Sequence, residues 1–417
     1  MPSAKKKRPK VFRILLAFIL CMFILVTVIL GHYVLRLRNE AKTQDYLTPF
    51  YDVSYPLEST KPGYILKLEE LDISVPHLKT ALRMVYVTQD YKGSTRVSSG
   101  MVFIPEGEAP VSGRPVLAWA HGTLGMGDAC APSRAFSPLS DMQWLGDALA
   151  NGYVVAATDY AGLGTEGISY YLIGESEAHD VINSVRAAQN LIDAKASKEF
   201  VLFGHSQGGH SVLWSAKLAK SYAPELKLIA VAAAAPAAEL SSLLHQEYKK
   251  GVSWGIGPEI AVSWPVVYAD LDLKRTLSKS AYSSYRDLAN ECLAGNPLGI
   301  KARVIIEKPF FNVDPISHSA WKKALDSQNA PYLDPKMPLM IAQGLKDEIV
   351  LPNTTALYAK NACKRDSNLT MMWMGDVDHI SAANTAGPYV ISWLTQRLQG
   401  IPAERNCDQP LPIAPGV

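Results

Sequence analysis

The feature that most constrains this 417-residue chain is a rhythm of short apolar runs separated by helix-length segments. The runs are Val116 to Ala120, Tyr153 to Thr158, Phe200 to Phe203, Leu228 to Ala234, Leu339 to Ala342 and Met371 to Met374. A strand buried on both faces reads as a continuous apolar run, and parallel strands need a crossover, usually a helix, between them. The segments 140–150, 175–194, 209–222 and 354–362 read as such helices, with a last one near 388–398. The alternation predicts one α/β sheet, mostly parallel, accounting for most of the chain. Ahead of it, Leu82, Met84 and Tyr86 alternate with polar residues. After the turn-like Lys92-Gly93, the segment Val97 to Pro105 is again strand-like, so an antiparallel hairpin is expected at the start of the sheet.

Two stretches depart from the rhythm. Ile14 to Leu35 is 22 residues without Asp, Glu, Lys or Arg, long enough as a helix to cross about 30 Å of hydrocarbon. The basic cluster Lys5 to Arg13 precedes it, which keeps that end cytoplasmic and sends the body to the periplasmic or extracellular side. A cleavable signal would need a small-x-small site that Val28 to Tyr33 lacks. Cys21, preceded by Phe18, Ile19 and Leu20, lacks the small residues that precede a lipid-modified cysteine and reads as a buried apolar thiol. The expected organisation is a basic segment 1–13, a transmembrane anchor 14–35, an irregular tether 36–62 and a core in two parts, 63–238 and 336–417. The second departure is 239–335, too long for a crossover. It carries Trp254, Trp264, Tyr268, Tyr282, Tyr285, Phe310, Phe311 and Trp321, and reads as a mostly helical insertion covering one end of the sheet.

Composition removes several functions. The chain has 41 Lys+Arg against 39 Asp+Glu, but eight of the cations precede the first acid, Glu40, and the remaining 33 face all 39 acids, leaving a body of net charge −6. Such a body has no electrostatic footprint for nucleic acid. No Gly-Lys-Ser/Thr follows the Gly162-Leu163-Gly164 loop, so no nucleotide cofactor is expected. Cys130, Cys292, Cys363 and Cys407 lie beyond the apolar span without Cys-x-x-Cys or His-x-His spacing. Two disulfides, and no metal, fit an exported body.

Gly204-His205-Ser206-Gln207-Gly208 follows one apolar run and opens a segment with helical apolar spacing at Val212, Leu213, Ala216 and Leu218. This is the strand, elbow, helix context of a Gly-x-Ser-x-Gly nucleophile. The glycines at 204 and 208 are needed because side chains there would collide with the neighbouring strand and helix. A serine hydroxyl is a poor nucleophile without a base, and the base needs a carboxylate to orient it. In α/β-hydrolases these follow in the order Ser, acid, His. Of the histidines after Ser206, only His379 lies beyond the last two strand candidates, in the loop Gly375 to His379. Asp347 is the first carboxylate after the run Leu339 to Ala342, with Glu348 as its neighbouring alternative; Asp376 and Asp378 read as loop carboxylates. The oxyanion donors expected are the backbone N–H of Gln207 and one from His121-Gly122-Thr123, with Thr123 the best single assignment. His121 itself reads as a loop histidine bonded to backbone. Asp159 and Tyr160 read as structural, capping a loop and packing beneath the elbow.

Together, His121-Gly122-Thr123, Asp159-Tyr160-x-Gly162, Gly204 to Gly209, Gly344-x-x-Asp347 and Asp378-His379 resemble the secretory lipase family of the yeast lipase A type, within the α/β-hydrolases. The resemblance runs from about Ile73 to the C-terminus. It implies an α/β-hydrolase fold, disulfides Cys130 with Cys292 and Cys363 with Cys407, and an insertion that is a lid over an acyl-binding tunnel. The expected activity is hydrolysis of carboxylic esters of acyl lipids through an acyl-enzyme, with no cofactor and no metal. An amidase on the same nucleophile is the alternative, and a non-catalytic interaction module a more distant one. A peptidase of this fold would bind the substrate amino terminus through acidic side chains, and none is identifiable. Oligomeric state has no sequence signal.

Overall fold

The computed structural model describes residues 10–135, 137–293 and 309–416. The chain divides into two compact units, Met1–Phe50 and Tyr51–Val417.

A nine-stranded sheet organises the second unit, in the order β1-β2-β3-β5-β4-β6-β7-β8-β9. The strands β1 (Ile65–Glu70), β2 (Leu78–Gln89) and β3 (Thr95–Pro105) form an antiparallel meander, and β3 also runs antiparallel to β5 (Val154–Thr158). From β5 onward every pairing is parallel, through β4 (Arg114–Ala120), β6 (Ala196–His205), β7 (Lys227–Ala234), β8 (Leu339–Gly344) and β9 (Leu369–Met374). All six apolar runs and the hairpin are therefore strands. The first strand, β1, has no counterpart among the expected elements. It is half exposed at the sheet edge, so the alternation in Ile65 to Glu70 is weak.

Strand parity divides the core. Val116, Ala118, Phe200, Leu202, Val231 and Ile341 face one way, into a cluster with the helices α3 (Gly174–Asn190), α4 (Gln207–Tyr222) and α10 (Pro352–Cys363). Leu117, Trp119, Val201, Phe203, Ala232 and Met340 face the other way, against α2 (Leu145–Ala150) and α11 (Ala382–Leu398). Side chains alternate across a strand with period two, so a wholly apolar run supplies both layers at once. The last helix begins six residues before Pro388, and Gly387 lets it press on Trp144: a Cβ there would lie 2.5 Å from the Trp144 Cβ.

The insertion is helical where described, with α5 (Leu240–Glu247), α6 (Ser253–Val267), α7 (Leu273–Thr276), α8 (Lys279–Asn290) and α9 (Ser319–Gln328). Its aromatic residues mostly build the insertion's own core. Trp254 meets Phe310 edge to face with ring centroids 5.2 Å apart, and Trp264 stacks on Trp321. Both expected disulfides are present, Cys130 to Cys292 and Cys363 to Cys407.

The first unit departs from expectation. Helix α1 runs Lys10–Tyr51, so the segment expected to be an irregular tether is helical as far as Tyr51. Glu40, Ala41, Lys42 and Gln44 are good helix formers, and they carry the helix past the apolar run. Among the described residues, no helix is long and apolar enough to cross a membrane. The transmembrane anchor expected over 14–35 thus has no counterpart there; the side chains at 14–17, 25, 29–30 and 32–35 lie outside the described set.

Candidate active site

Three parallel strands deliver three side chains at their C-terminal ends, where ligands bind in open α/β sheets. Ser206 follows β6 at φ 56° and ψ −114°, a left-handed conformation that costs a non-glycine residue about 1–3 kcal/mol. The surrounding glycines make this turn possible. A Cβ on Gly204 would lie 2.2 Å from the Gly208 carbonyl oxygen, and one on Gly208 would lie 1.8 Å from the Ala120 carbonyl oxygen. The tight crossing of α4 over β4 is what lifts the serine above the sheet.

His379, in the loop after β9, bridges the other two. Its Nε2 lies 2.8 Å from Ser206 Oγ, and its Nδ1 lies 2.8 Å from Asp347 Oδ2. A carboxylate can only accept, so Nδ1 carries the proton and Nε2 is free to take one from the serine. Asp347, in the loop after β8, is buried and itself held. Its Oδ1 accepts from the N–H groups of Ile349 and Val350, both at 2.9 Å, and its Oδ2 accepts from Gln343 Nε2 at 3.0 Å. Gln343 is fixed in turn by Thr355, whose hydroxyl donates to Gln343 Oε1 at 2.6 Å. Gln343 lies two residues inside a strand and carries no motif, so nothing in the sequence marks it. Glu348, the alternative acid, is exposed at the cavity wall, and Asp378 is bound to the Ser381 N–H at 2.9 Å.

The remaining polar residues sort as the sequence suggests. His121 turns its ring nitrogens to the carbonyls of Gly122 and Asp159. Asp159 accepts from Ser99 Oγ and from the N–H and hydroxyl of Ser133, tying the loop after β5 to the segment after β4. Tyr160 lies under the elbow and donates its hydroxyl to the His121 carbonyl at 3.1 Å. His205 donates from Nε2 to the His379 carbonyl at 2.9 Å, and burial together with the neighbouring His379 pushes its pKa down to about 3. It is neutral at any ordinary pH and cannot compete for the serine proton.

Gln207 is the first residue of α4, so its N–H is among those a helix leaves without an internal partner. Gly122 abuts the elbow: a Cβ there would lie 3.1 Å from His205 Nδ1 and 3.4 Å from Ser206 Cβ. Thr123 follows it, with its hydroxyl 2.8 Å from the Tyr171 hydroxyl. Gln207, Gly122 and Thr123 line a cavity of about 720 Å³ that also contains Ser206 and His379. The opposite walls are apolar, with Leu243 and Leu244 of α5, Ile256, Ile260 and Trp264 of α6, and Leu325 of α9. Among the described residues, no group of acidic, histidine or cysteine side chains could hold a metal ion.

A serine raised on a strained elbow, a histidine bridging it to a buried carboxylate, and a mostly parallel sheet presenting all three at one edge define a serine hydrolase of the α/β-hydrolase class. The chain belongs to the secretory lipase family, whose model matches residues 131–406. It is 24% identical over 405 residues to a lipase A of Arthroderma benhamiae, covering 90% of this chain and 84% of that one. It is 25% identical to a secreted triacylglycerol lipase of Malassezia globosa, over 86% of this chain and 83% of the other. Among solved structures, Candida antarctica lipase A superposes with a TM-score of 0.67 at 18% identity, covering 88% of this chain and 89% of that one. A rice cell wall degrading esterase from Xanthomonas oryzae gives 0.68 at 20% identity, over 81% and 98%. The chain is a carboxylic ester hydrolase.

Proposed function

We propose that Ser206 is the nucleophile, His379 the general base and acid, and Asp347 the orienting carboxylate of an esterase acting on acyl lipids. The observation that carries this reading is His379 held at 2.8 Å on both sides, by Ser206 and by Asp347. Ser206 Oγ attacks the ester carbonyl carbon as His379 Nε2 takes its proton. The N–H groups of Gln207 and Thr123 stabilise the oxyanion, and His379 returns the proton to the departing alcohol oxygen. Water then repeats the sequence on the acyl-enzyme, releasing the carboxylic acid and restoring Ser206. The apolar wall built by the insertion supports an acyl chain as the part of the substrate it covers.

The test is a ladder of ester chain lengths for wild type and Ser206→Ala. The variant should fold normally and lose turnover by roughly a millionfold. Full activity in it would overturn the assignment, and activity confined to short chains would remove the acyl lipid from the reading.

The N-terminal reading remains a membrane anchor over 14–35, with 1–13 cytoplasmic and the catalytic body outside. It is supported by the run of 22 uncharged residues behind a basic cluster and by the exposure of Phe18, Ile19, Leu20 and Phe23. Alkaline extraction of membranes from cells expressing the full chain checks it: an anchored chain stays with the pellet, whereas a chain released to the supernatant is not anchored.

A further inference from the structure

Glu177 is a fully buried carboxylate that the chemistry described above does not use. It lies in the first turn of α3 and faces the first turn of α4. Its Oε1 accepts from Gln207 Nε2 at 2.7 Å and from the Leu172 N–H at 2.8 Å. Its Oε2 accepts from Ser211 Oγ at 2.8 Å and faces His210 Nδ1 at 3.3 Å. A buried carboxylate is costly unless hydrogen bonds satisfy it, and none of these partners is a lysine or arginine. The arrangement costs desolvation, and what it secures lies on both sides of the nucleophile.

One side is direct. Gln207 supplies the first oxyanion N–H, and its side chain is clamped by Glu177. The other side runs through two residues. Leu172 sits at φ 53°, a left-handed conformation a leucine rarely adopts, and its N–H is held by Glu177 in that state. The preceding residue, Tyr171, thereby presents its hydroxyl to Thr123 Oγ1 at 2.8 Å. Both loops that frame the oxyanion position are thus fastened to one carboxylate.

We propose that Glu177 is a positioning residue for the oxyanion hole, holding Gln207 through its side chain and Thr123 through the Leu172 and Tyr171 turn. Preorganised donors stabilise charge that develops only in the transition state, so loosening them lowers kcat and leaves ground-state binding unchanged. The inference rests on Ser206 being the nucleophile.

The experiment compares wild type, Glu177→Gln and Tyr171→Phe on one soluble ester, and measures inhibition by an alkyl boronic acid that forms a tetrahedral adduct on the serine. Glu177→Gln should lower kcat by about a hundredfold with KM within about twofold, and weaken the boronic acid in parallel. Tyr171→Phe should lower kcat by about tenfold, again with KM unchanged. The double variant should cost less than the product of the two, because both act on one hole. A loss expressed in KM, or unchanged boronic acid affinity in a variant with reduced kcat, overturns the proposal. If Glu177→Gln does not fold, Tyr171→Phe decides alone, and wild-type kcat in it overturns the proposal. A boronic acid that fails to bind wild type would instead refute Ser206 as nucleophile.

Discussion

In the proposed mechanism His379 acts with its proton on Nδ1, and that placement is inherited from Asp347, which is in turn pinned by two backbone N–H groups and Gln343. Removing the Gln343 amide leaves Asp347 Oδ2 with His379 as its one donor of the two described, and strands the Thr355 hydroxyl. Gln343→Leu should therefore lower kcat by about tenfold with little change in KM, measured on a short soluble ester. His205 gives a pH prediction. Its folded pKa lies near 3, below the ordinary value near 6.5, so between those limits the unfolded chain binds a proton that the folded chain refuses. Stability is full above about 6.5 and falls as pH drops toward 3, by up to about 1.4 kcal/mol per pH step. Denaturant midpoints across that window should fall less steeply in His205→Asn than in wild type. At this scale the sequence was informative where a motif existed: Ser206, Asp347 and His379 meet as their order along the chain suggests. It was silent on Gln343, Tyr171 and Glu177, whose roles depend on partners 4 to 48 residues away and on no spacing rule.

The elbow is the element whose local geometry has least freedom. Gly208 has Ala120 backbone in the place of a side chain, so Gly208→Ala must push β4 and α4 apart. The expected outcome is loss of soluble protein, or of activity in whatever remains, read from expression yield and turnover. The two disulfides act on different elements. Cys130 to Cys292 ties the loop after β4 to the insertion, whereas Cys363 to Cys407 fastens the C-terminal tail to α10. The tail also covers the edge of the sheet, where Asn406 bonds both the N–H and the carbonyl of Met371. Replacing Cys130 and Cys292 together by serine should cost about 2–4 kcal/mol and raise the rate at which activity is lost on warming. A midpoint unchanged within error would show that the insertion holds its place by packing alone.

At the scale of the molecule, the site is a composite. The sheet presents Ser206, Asp347 and His379, and an insertion placed between β7 and β8 supplies the wall opposite them. Leu243 lies buried on α5 and lines the cavity. Leu243→Trp should shorten it: rates on long-chain esters should fall by tenfold or more while rates on acetate and butyrate esters stay near wild type. Equal losses at every chain length would mean that the acyl chain lies elsewhere.

The sheet, its parallel direction and the triad's order were written in the sequence, because each rests on a local rule. Apolar runs bury on both faces, glycines go where a Cβ cannot fit, and a strand ending in Gly-x-Ser-x-Gly must turn sharply into a helix. The first strand was illegible because an exposed edge needs little apolar pattern, and the helix through 40–51 because propensity continued where aromatic residues and prolines suggested a loop. Which insertion side chains line the cavity and which hold one another was a tertiary decision. Trp254, Phe310, Phe311 and Trp321 look alike in sequence to Trp264, yet of these only Trp264 lines the cavity. Burial against distant partners, not residue type, made that choice, and the same holds for the carboxylate of Glu177 between the two oxyanion loops.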